Sequence, residues 1–578
     1  MAAIENLITE NMDVWTSAIK QRATQGRGSS KKQELYGIQK LRELILELAV
    51  RGLLVPQDPN DEPASVLLEK IAAEREQLVK EKKIRKPKKI PSISIDEKYG
   101  FLPHGWEYVR LNDIGDWGAG ATPKRSNSEF YGGNIPWFKS GELVADYISN
   151  SEETITEDAL KKTSLRYNKA GDVLLAMYGA TIGKAAILSV PATTNQAVCA
   201  CTTFTGFSNV FLLTLLKAYK PRFIGMGAGG AQPNISREKI IATVIALPPA
   251  NEQKRIVAKV DELMALCDQL EEQQENSLAA HQQLVEVLLT ALTQAADAEA
   301  FQQAWTRLAA NFETLFTTEN SIDQLKQTLL QLAVMGKLVP QDPNDEPVCL
   351  LLDKITIKKE AFIKERKIRK TKPMPKISNK DIPFQAPHGW VWARLGDLGI
   401  GATGKTPSTK TAENFDGEIP FIGPGQITPS GKLLESDKTL TKEGLKHSSE
   451  AVYGDILMVC IGGSVGKSVI ADRRVAFNQQ INSIHPFEVM SEFLFLTVNT
   501  KTFYQLVVEK SSGSATPIIN RSKWEELPVP IAPLNEQKRI VAKVDQLFAI
   551  CDQLKAKIRT AQTTQLQLAD ALTSQAVQ

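Results

Sequence analysis

Residues Gly399 to Thr406 read GIGATGKT, a letter-for-letter match to the phosphate-loop pattern. In that chemistry a glycine-rich backbone cradles phosphates, a lysine reaches the outer ones and a hydroxyl holds Mg²⁺. The loop works only between a buried strand and a helix whose N-terminus faces the phosphates. Upstream, VWARLGDLGI is interrupted by Arg394, Gly396 and Asp397, whereas a strand inside a parallel sheet reads as nearly continuous apolar residues. Downstream, PSTKTAENFDG is polar and Pro407 follows Thr406 directly, so no helical periodicity begins there. A second near match, GGSVGKS at Gly462 to Ser468, has its first glycine one position too close to Gly466. Both segments read as glycine-rich turns.

Other reactive-looking residues lead no further. Glu252-Gln253-Lys254 and Glu536-Gln537-Lys538 match the E-x-K half of a nuclease core, but both open a helix and have no P-D partner at useful spacing. The six cysteines, Cys199, Cys201, Cys267, Cys349, Cys460 and Cys551, include no C-x-x-C pair, and the five histidines are scattered. No metal site is expected from such spacing. Cys267 and Cys551 occupy matching apolar positions and read as small core residues.

The elements that must carry any site are set by a tandem duplication. LVPQDPNDEP occurs at Leu54 and Leu338, and NEQKRIVAKVD at Asn251 and Asn535, both pairs 284 positions apart. PHGW (Pro103, Pro387), IRK (Ile84, Ile368) and CDQL (Cys267, Cys551) keep that offset. In this register Lys405 falls opposite Ala121, so a duplicated phosphate loop would have lost its lysine in one copy.

At 578 residues the chain can form three or four units of domain size. Its 42% apolar and 23% charged content is that of a globular protein, and a net charge of +3 selects no partner. The acidic start MAAIENLITENMDV and the lack of a long apolar run predict a soluble, cytoplasmic protein with no membrane association. Charge is nonetheless concentrated in two equivalent basic stretches, Lys80–Lys89 and Lys358–Lys376, each ending in a proline-rich linker. They read either as solvated helix ends or as phosphate contacts that position a nucleic acid without reading it.

Two long helices should start with Asn251 and Asn535 as N-caps. Ile256, Val260, Leu263, Cys267 and Leu270 recur at heptad spacing, with Leu284, Leu288 and Ala291 continuing the frame. Ile540, Val544, Leu547, Cys551 and Leu554 copy the pattern, followed by Ile558, Leu568 and Leu572. Such a seam calls for a partner helix, and the expected partner is the duplicate itself. Roughly forty residues would give a rod on the order of 60 Å. Shorter amphipathic helices are expected at Leu41–Leu54 and Leu325–Leu338, then over ASVLLEKIAAEREQLVKEK and VCLLLDKITIKKEAFIKER.

Between PHGW and NEQK lie two modules of short alternating apolar runs such as GDVLLAMYG and GDILMVCIGG. They agree at framework points: Gly115/Gly399, Thr122-Pro123/Thr406-Pro407, Ile135-Pro136/Ile419-Pro420, Gly171-Asp172/Gly454-Asp455, Gly183-Lys184/Gly466-Lys467 and Asn195-Gln196/Asn478-Gln479. Elsewhere they diverge, while the helices and linkers stay nearly identical. Two recognition modules with different targets on a common frame would have this pattern.

NEQKRIVAKVDEL after a proline-rich strand end, the turns Ala121–Ser126 and Lys405–Ser408, and divergent modules alternating with repeated helices resemble the specificity subunit of type I restriction-modification enzymes. The resemblance covers essentially the whole chain. It implies an α+β protein with two α/β target-recognition domains separated by a pair of long antiparallel helices, the tandem repeat becoming a pseudo-two-fold. The corresponding segments are a helical region and basic linker at 1–100, recognition domains at 101–250 and 385–534, a central helix, helical region and linker at 251–384, and a C-terminal helix at 535–578. Each domain would read one half of an interrupted, asymmetric site in double-stranded DNA, with the helices fixing the spacer.

The resemblance further implies two modification (methyltransferase) subunits as partners, with restriction subunits outside them. S-adenosylmethionine, ATP and Mg²⁺ would belong to those subunits and no cofactor to this chain. An adenine-N6 methyltransferase carries a [DN]-P-P-[YF] loop, and the nearest segment here, LPPAN at Leu247–Asn251, lacks the acid or amide and the aromatic. A non-catalytic subunit is therefore expected. Expected DNA contacts in the first module are Lys124, Arg125, Ser126, Lys139, Tyr178, Lys184, Gln232 and Asn234. Those in the second are Lys405, Ser408, Lys410, Gln426, Lys467, Thr516 and Asn520. Asn195-Gln196 and Asn478-Gln479 recur unchanged in modules that should read different bases, which favours a structural role. The competing class is a non-enzymatic bivalent scaffold for two protein partners, which would show no salt-dependent DNA affinity.

Overall fold

The computed structural model describes residues 2–22, 32–86, 90–98, 100–227, 233–366, 373–513 and 516–577. Parts of both basic stretches, residues 87–89 and 367–372, lie outside them. The chain divides into two compact units, Met1–Ser277 with Ala561–Gln578, and Leu278–Thr560.

In the first unit the helix Tyr36–Val50 buries Ile38, Leu41, Leu44, Ile45 and Leu48, one stripe at three- and four-residue spacing. It stops before Leu54 because Gly52 adopts φ 71°, a left-handed conformation that closes helices without a Cβ penalty. A Cβ on Gly52 would also stand 2.6 Å from the Pro103 ring and 2.8 Å from the Trp106 ring. In the second unit the helix Glu319–Val334 ends in the same way at Gly336, φ 66°, whose Cβ would lie 2.5 Å from Pro387. The repeated glycine thus seats the PHGW tryptophan and proline against a helix end. The next helices, Ala64–Lys80 and Val348–Lys364, stop two residues short of the expected ends.

The repeated motifs interlock. Trp106 donates its indole N–H to buried Glu252 at 2.9 Å, and Trp390 donates to Glu536 at 3.0 Å. Gln253 accepts the Ser208 N–H (2.9 Å) and donates to the Pro248 carbonyl (3.1 Å). Gln537 does the same with Met490 (3.0 Å) and Ala532 (2.8 Å). Arg255 pairs with Asp61 at 2.6 Å and Arg539 with Asp345 at 2.7 Å, tying each QDPNDEP loop to its NEQKR helix. Burial pushes the Glu252 and Glu536 carboxyls up, while the Arg255 hydrogen bond pulls Asp61 down. Glu252 and Glu536 are therefore structural carboxyls, which removes the E-x-K nuclease reading.

Each linker is stapled to its module by a buried arginine. Arg110 donates to the Pro91 carbonyl at 3.1 Å and to both Glu97 oxygens at 2.8 and 2.9 Å. Its guanidinium holds the Glu97 carboxyl down at about 2. Arg394 donates to the carbonyls of Pro375 (3.0 Å), Lys376 (3.1 Å) and Glu526 (2.7 Å).

The first module contains a five-stranded sheet in the order Gly115–Ala119, Val198–Thr203, Val173–Ala176, Ala185–Leu188, Tyr147–Ile148, antiparallel except for its last pair. A smaller sheet sets Tyr131–Phe138 between Thr193–Thr194 and Glu153–Ile155. The second module repeats this as Gly399–Thr403, Ile481–Pro486, Ile456–Val459, Ser468–Ile470, and as a sheet centred on Phe415–Ile422 and Val475–Phe477. A two-stranded ribbon closes each module, Glu107–Arg110 with Val244–Leu247 and Val391–Arg394 with Pro528–Ile531. The strand runs alternate with turns rather than with helices, so the sheets are mainly antiparallel and the class is α+β.

The long helices span Ala250–Gln294 and Leu534–Val577. Both begin one residue before the expected cap, because the Gln253 and Gln537 N–H groups already reach the Pro249 and Pro533 carbonyls. Asn251 and Asn535 accordingly sit in the first turn. The far end of the duplicate helix shares each seam with a shorter helix and a module core. Ile256, Val260, Leu263, Cys267 and Leu270 share the first unit's core with Leu41, Leu44 and Leu48 and with Leu566, Ala569 and Leu572. Ile540 and Val544 lie in the second module's core, while Leu547, Cys551 and Leu554 join Ile322, Leu325 and Leu329 and the far end of the first long helix, Val285, Leu289 and Leu292.

Within each unit the shorter amphipathic helix is an immediate partner of the heptad run. Glu319–Arg559 (2.7 Å), Asp323–Lys555 (2.7 Å) and Lys326–Asp552 (2.5 Å) show the short helix running antiparallel to the long one in the second unit. The frame also slips. Leu284 and Leu568 are about half exposed, and the following Val285 and Ala569 are buried instead. A straight helix drifts about 20° per heptad, so after the four heptads from Ile256 to Leu284 the stripe has moved by nearly one residue.

Replacing Trp106 or Trp390 with Phe leaves a buried glutamate without its donor and is expected to cost about 1–3 kcal/mol. Urea unfolding of the full chain measures it; unchanged midpoints would show that the indole–carboxylate contact contributes nothing.

Candidate nucleic-acid interface

The phosphate-loop look-alike has a different geometry from the one its letters suggest. Gly399–Thr403 is a strand antiparallel to Ile481–Pro486, and residues 404–411 form no helix. Gly404 N–H donates to the Ile481 carbonyl (3.0 Å) and Lys405 N–H to the Phe477 carbonyl (3.0 Å). The backbone donors that would cradle a phosphate are thus spent on the sheet. Gly404 is glycine because a Cβ would stand 1.9 Å from the Asn478 carbonyl oxygen, and Gly120 faces Thr194 and Asn195 in the same way.

That close approach brings the framework residues together. The Thr122 hydroxyl donates to Gln196, and the Thr406 hydroxyl to Gln479 at 2.6 Å. Asn195 and Asn478 accept the N–H two residues ahead, from Ala197 (3.1 Å) and Gln480 (3.0 Å). Asn195 and Gln196 thus hold the turn in the first module, and Asn478 and Gln479 in the second. The exposed residues Lys124, Arg125 and Ser126 stand on this turn in the first module, and Lys405, Ser408 and Lys410 in the second.

In the first module the turn meets the small sheet. Glu153 pairs with Arg125 and, at 2.6 Å, with Lys139, and these two cations pull its carboxyl down to about 2. Lys139 is thereby brought beside Arg125. Glu153 has no motif of its own and lies 28 residues from Arg125, so sequence reading missed it. In the second module Gln426 accepts the Gly423 N–H at 3.0 Å, the same cap that Glu142 makes on the Lys139 N–H at 2.7 Å. Gln426 is thus partly committed to its own turn.

A second loop pair forms the other group. Gly179 N–H donates to the Pro233 carbonyl (2.8 Å), and Tyr178 and Asn234, both exposed, form a β-bridge. In the second module Gly462 N–H donates to the Pro517 carbonyl (3.0 Å), beside exposed Thr516. Asn520 caps the helix Arg521–Glu525 by accepting the Lys523 N–H (2.9 Å), as Ser236 caps Arg237–Ala242. Lys467 is half-buried in its hairpin turn. Lys184 is separate from both groups: it lines a cleft of about 940 Å³ with Arg42, Asp146, Lys217 and Thr573. Gln232 lies outside the described residues.

The family model for the type I restriction modification DNA specificity domain matches twice, at residues 103–280 and 387–561. The chain belongs to the type I restriction-modification specificity-subunit family. Both matches begin at the PHGW proline and run into a long helix, so the family unit is module plus helix. The chain is 38% identical to the Escherichia coli type I restriction enzyme EcoEI specificity subunit over 599 residues, covering 100% of each. It is 37% identical to the Escherichia coli EcoAI specificity subunit over 612 residues, again covering 100% of each. A chain in a solved structure concerned with assembly and conformational transition of the type I R-M system aligns over 83% of this chain and 99% of that chain, at 17% identity and a TM-score of 0.46.

Among the described residues of this family member, no cluster of three or more His, Cys, Asp or Glu is placed to hold a metal ion. Likewise, no described helix is long and apolar enough to cross a membrane.

Lys405→Ala is expected to leave nucleotide behaviour unchanged, with no MgATP-dependent rise in Tm in either protein. A saturable rise abolished by the substitution would restore the phosphate-loop reading. A second test concerns His485, whose hydrogen bond to buried Asp455 (2.6 Å) raises its pKa above the ordinary 6.5. That contribution to stability is fully present below about pH 6.5 and is lost as pH rises through the raised value. Urea midpoints between pH 6 and 9 should fall accordingly, and Asp455→Asn should remove that component; an unchanged slope would refute the link.

Proposed function

We propose that the chain is the DNA-reading subunit of a modification and restriction complex, each module recognising one half of an interrupted, asymmetric site. Segments 101–250 and 385–534 are the two readers, and the long helices set the number of base pairs between the half-sites. The observation that carries this reading is the contrast inside one chain. The same threonine–glutamine and glycine contacts build the turn twice, and the residues displayed on it differ. A bivalent scaffold for two protein partners would instead show no salt-dependent DNA affinity.

Two modification subunits dock on the equivalent helical surfaces, and restriction subunits join outside them, all in the cytoplasm. S-adenosylmethionine, ATP and Mg²⁺ act on those subunits, while this chain contributes no catalytic group. Lysines and arginines of the modules and basic linkers supply phosphate contacts, and the turn residues supply base contacts worth about 1–3 kcal/mol of discrimination each when bidentate.

The test is co-expression with the methyltransferase subunit of the same source in a host lacking such methylation, followed by sequencing that detects N6-methyladenine. One interrupted motif with a modified adenine on each strand is expected. Binding of a duplex carrying that motif should weaken steeply between 50 and 200 mM salt. A complex that forms but leaves no motif and binds DNA without salt dependence would favour a protein scaffold instead.

A further inference from the structure

The framework gives the two modules a common coordinate system in which single positions can be compared. Ile155 pairs with Tyr131 and Ile135 in the first module, and Leu440 pairs with Phe415 and Ile419 in the second, with the same register shift. Two residues before each stands Glu153 in one and Lys438 in the other. Glu153 is opposite Trp137, and the Lys438 carbonyl accepts the Phe421 N–H at 2.8 Å, so the positions correspond. By the same register Arg125 corresponds to Thr409 and Lys139 to Gly423. The carboxylate has become a cation and both cations are gone.

What surrounds Arg125 is built to hold one orientation. Its two terminal nitrogens face the two Glu153 oxygens, and Lys139 pairs with the Oε1 atom of the same carboxylate. Its guanidinium lies 4.8 Å from the Tyr131 ring centre and 5.1 Å from that of Trp137. Those rings meet edge to face, 6.1 Å apart at 78°. Each also anchors the turn that bears Arg125: the Tyr131 hydroxyl donates to the Pro123 carbonyl (2.7 Å), and the Trp137 indole to the Ala121 carbonyl (3.1 Å). In the second module Phe415 and Phe421 have no such donors, and the Ser448 hydroxyl holds the Lys405 carbonyl instead (2.7 Å). Despite these contacts the Arg125 side chain stays 55% exposed.

We propose that Arg125 reads a guanine in the half-site of the first module and that Glu153 is its positioning residue; this rests on the modules being DNA readers. A guanidinium has five N–H donors in a rigid fork, so a carboxylate that takes two fixes the plane in which the others point outward. Guanine offers two acceptors, O6 and N7, on its major-groove edge, matched by two parallel N–H groups of one arginine. A backbone phosphate would also accept from Arg125. A phosphate contact carries no sequence information, however, so nothing would set it apart in one module and discard it in the other.

The experiment uses the full chain with its methyltransferase partner and compares the N6-methyladenine motif of Arg125→Ala, Arg125→Lys and Glu153→Gln with that of the unsubstituted complex. Expected is loss of guanine preference at one position of one half-site, roughly 5- to 150-fold in the arginine variants. A smaller relaxation is expected at that position in Glu153→Gln, with the other half-site unchanged. Arg125→Lys keeps the charge without the fork, and equal Tm values establish that the variants fold. The proposal is overturned if the motif is unchanged. It is equally overturned if all sequences weaken alike and the slope of log K against log salt falls by about 0.9, the mark of a phosphate contact. A relaxed motif in Arg125→Ala with none in Glu153→Gln overturns the positioning role. An unsubstituted complex without any motif removes the module reading itself and the proposal with it.

Discussion

A buried carboxylate at the start of each long helix is the constraint on which the rest of the chain depends. Glu252 and Glu536 each receive one indole N–H, and the neighbouring glutamine and arginine of the same helical turn fasten a module helix, a strand end and the QDPNDEP loop. Bonding offsets the cost of burying these polar groups, so each contact supports its neighbours. They fix where a module leaves its helix. Any spacing function of the helices depends on that joint being stiff.

Around the joint, the modules separate what must be constant from what can vary. Gly120 and Gly404 permit a backbone approach that no side chain would allow, and the threonine–glutamine pairs close the turn. Once these groups satisfy the turn, the residues displayed on it are free to differ. The first module supports its turn with tyrosine and tryptophan donors, the second with a serine. The path of the turn is retained while its chemistry changes.

The helical part shows how a repeated pattern can have unequal partners. Each long helix begins in one unit and ends in the other, and its apolar stripe serves a module, a shorter helix and the far end of its counterpart in turn. The half-exposed Leu284 and Leu568, with Val285 and Ala569 taking their places inside, follow from a 3.6-residue turn under a seven-residue repeat.

Repeat register, helix positions, the divergence of the modules and the family resemblance were all legible in the sequence, because each is a property of local spacing or of one chain segment compared with another. The same local information misplaced the ends of the Tyr36–Val50 and Glu319–Val334 helices, where glycines already marked the stop. It gave the seam its duplicate helix as partner but not the shorter helices and module cores that cover the same face, since apolar spacing identifies a face without naming everything that covers it. Only the tertiary structure showed that GIGATGKT spends its N–H groups on a neighbouring strand, that Glu252 is a partner for Trp106, and that Glu153 reaches Arg125 and Lys139. These are meetings of residues tens to hundreds of positions apart. Hydrogen bonding and charge pairing act over a few ångströms of space, and distance along the chain carries no trace of them until the backbone has folded.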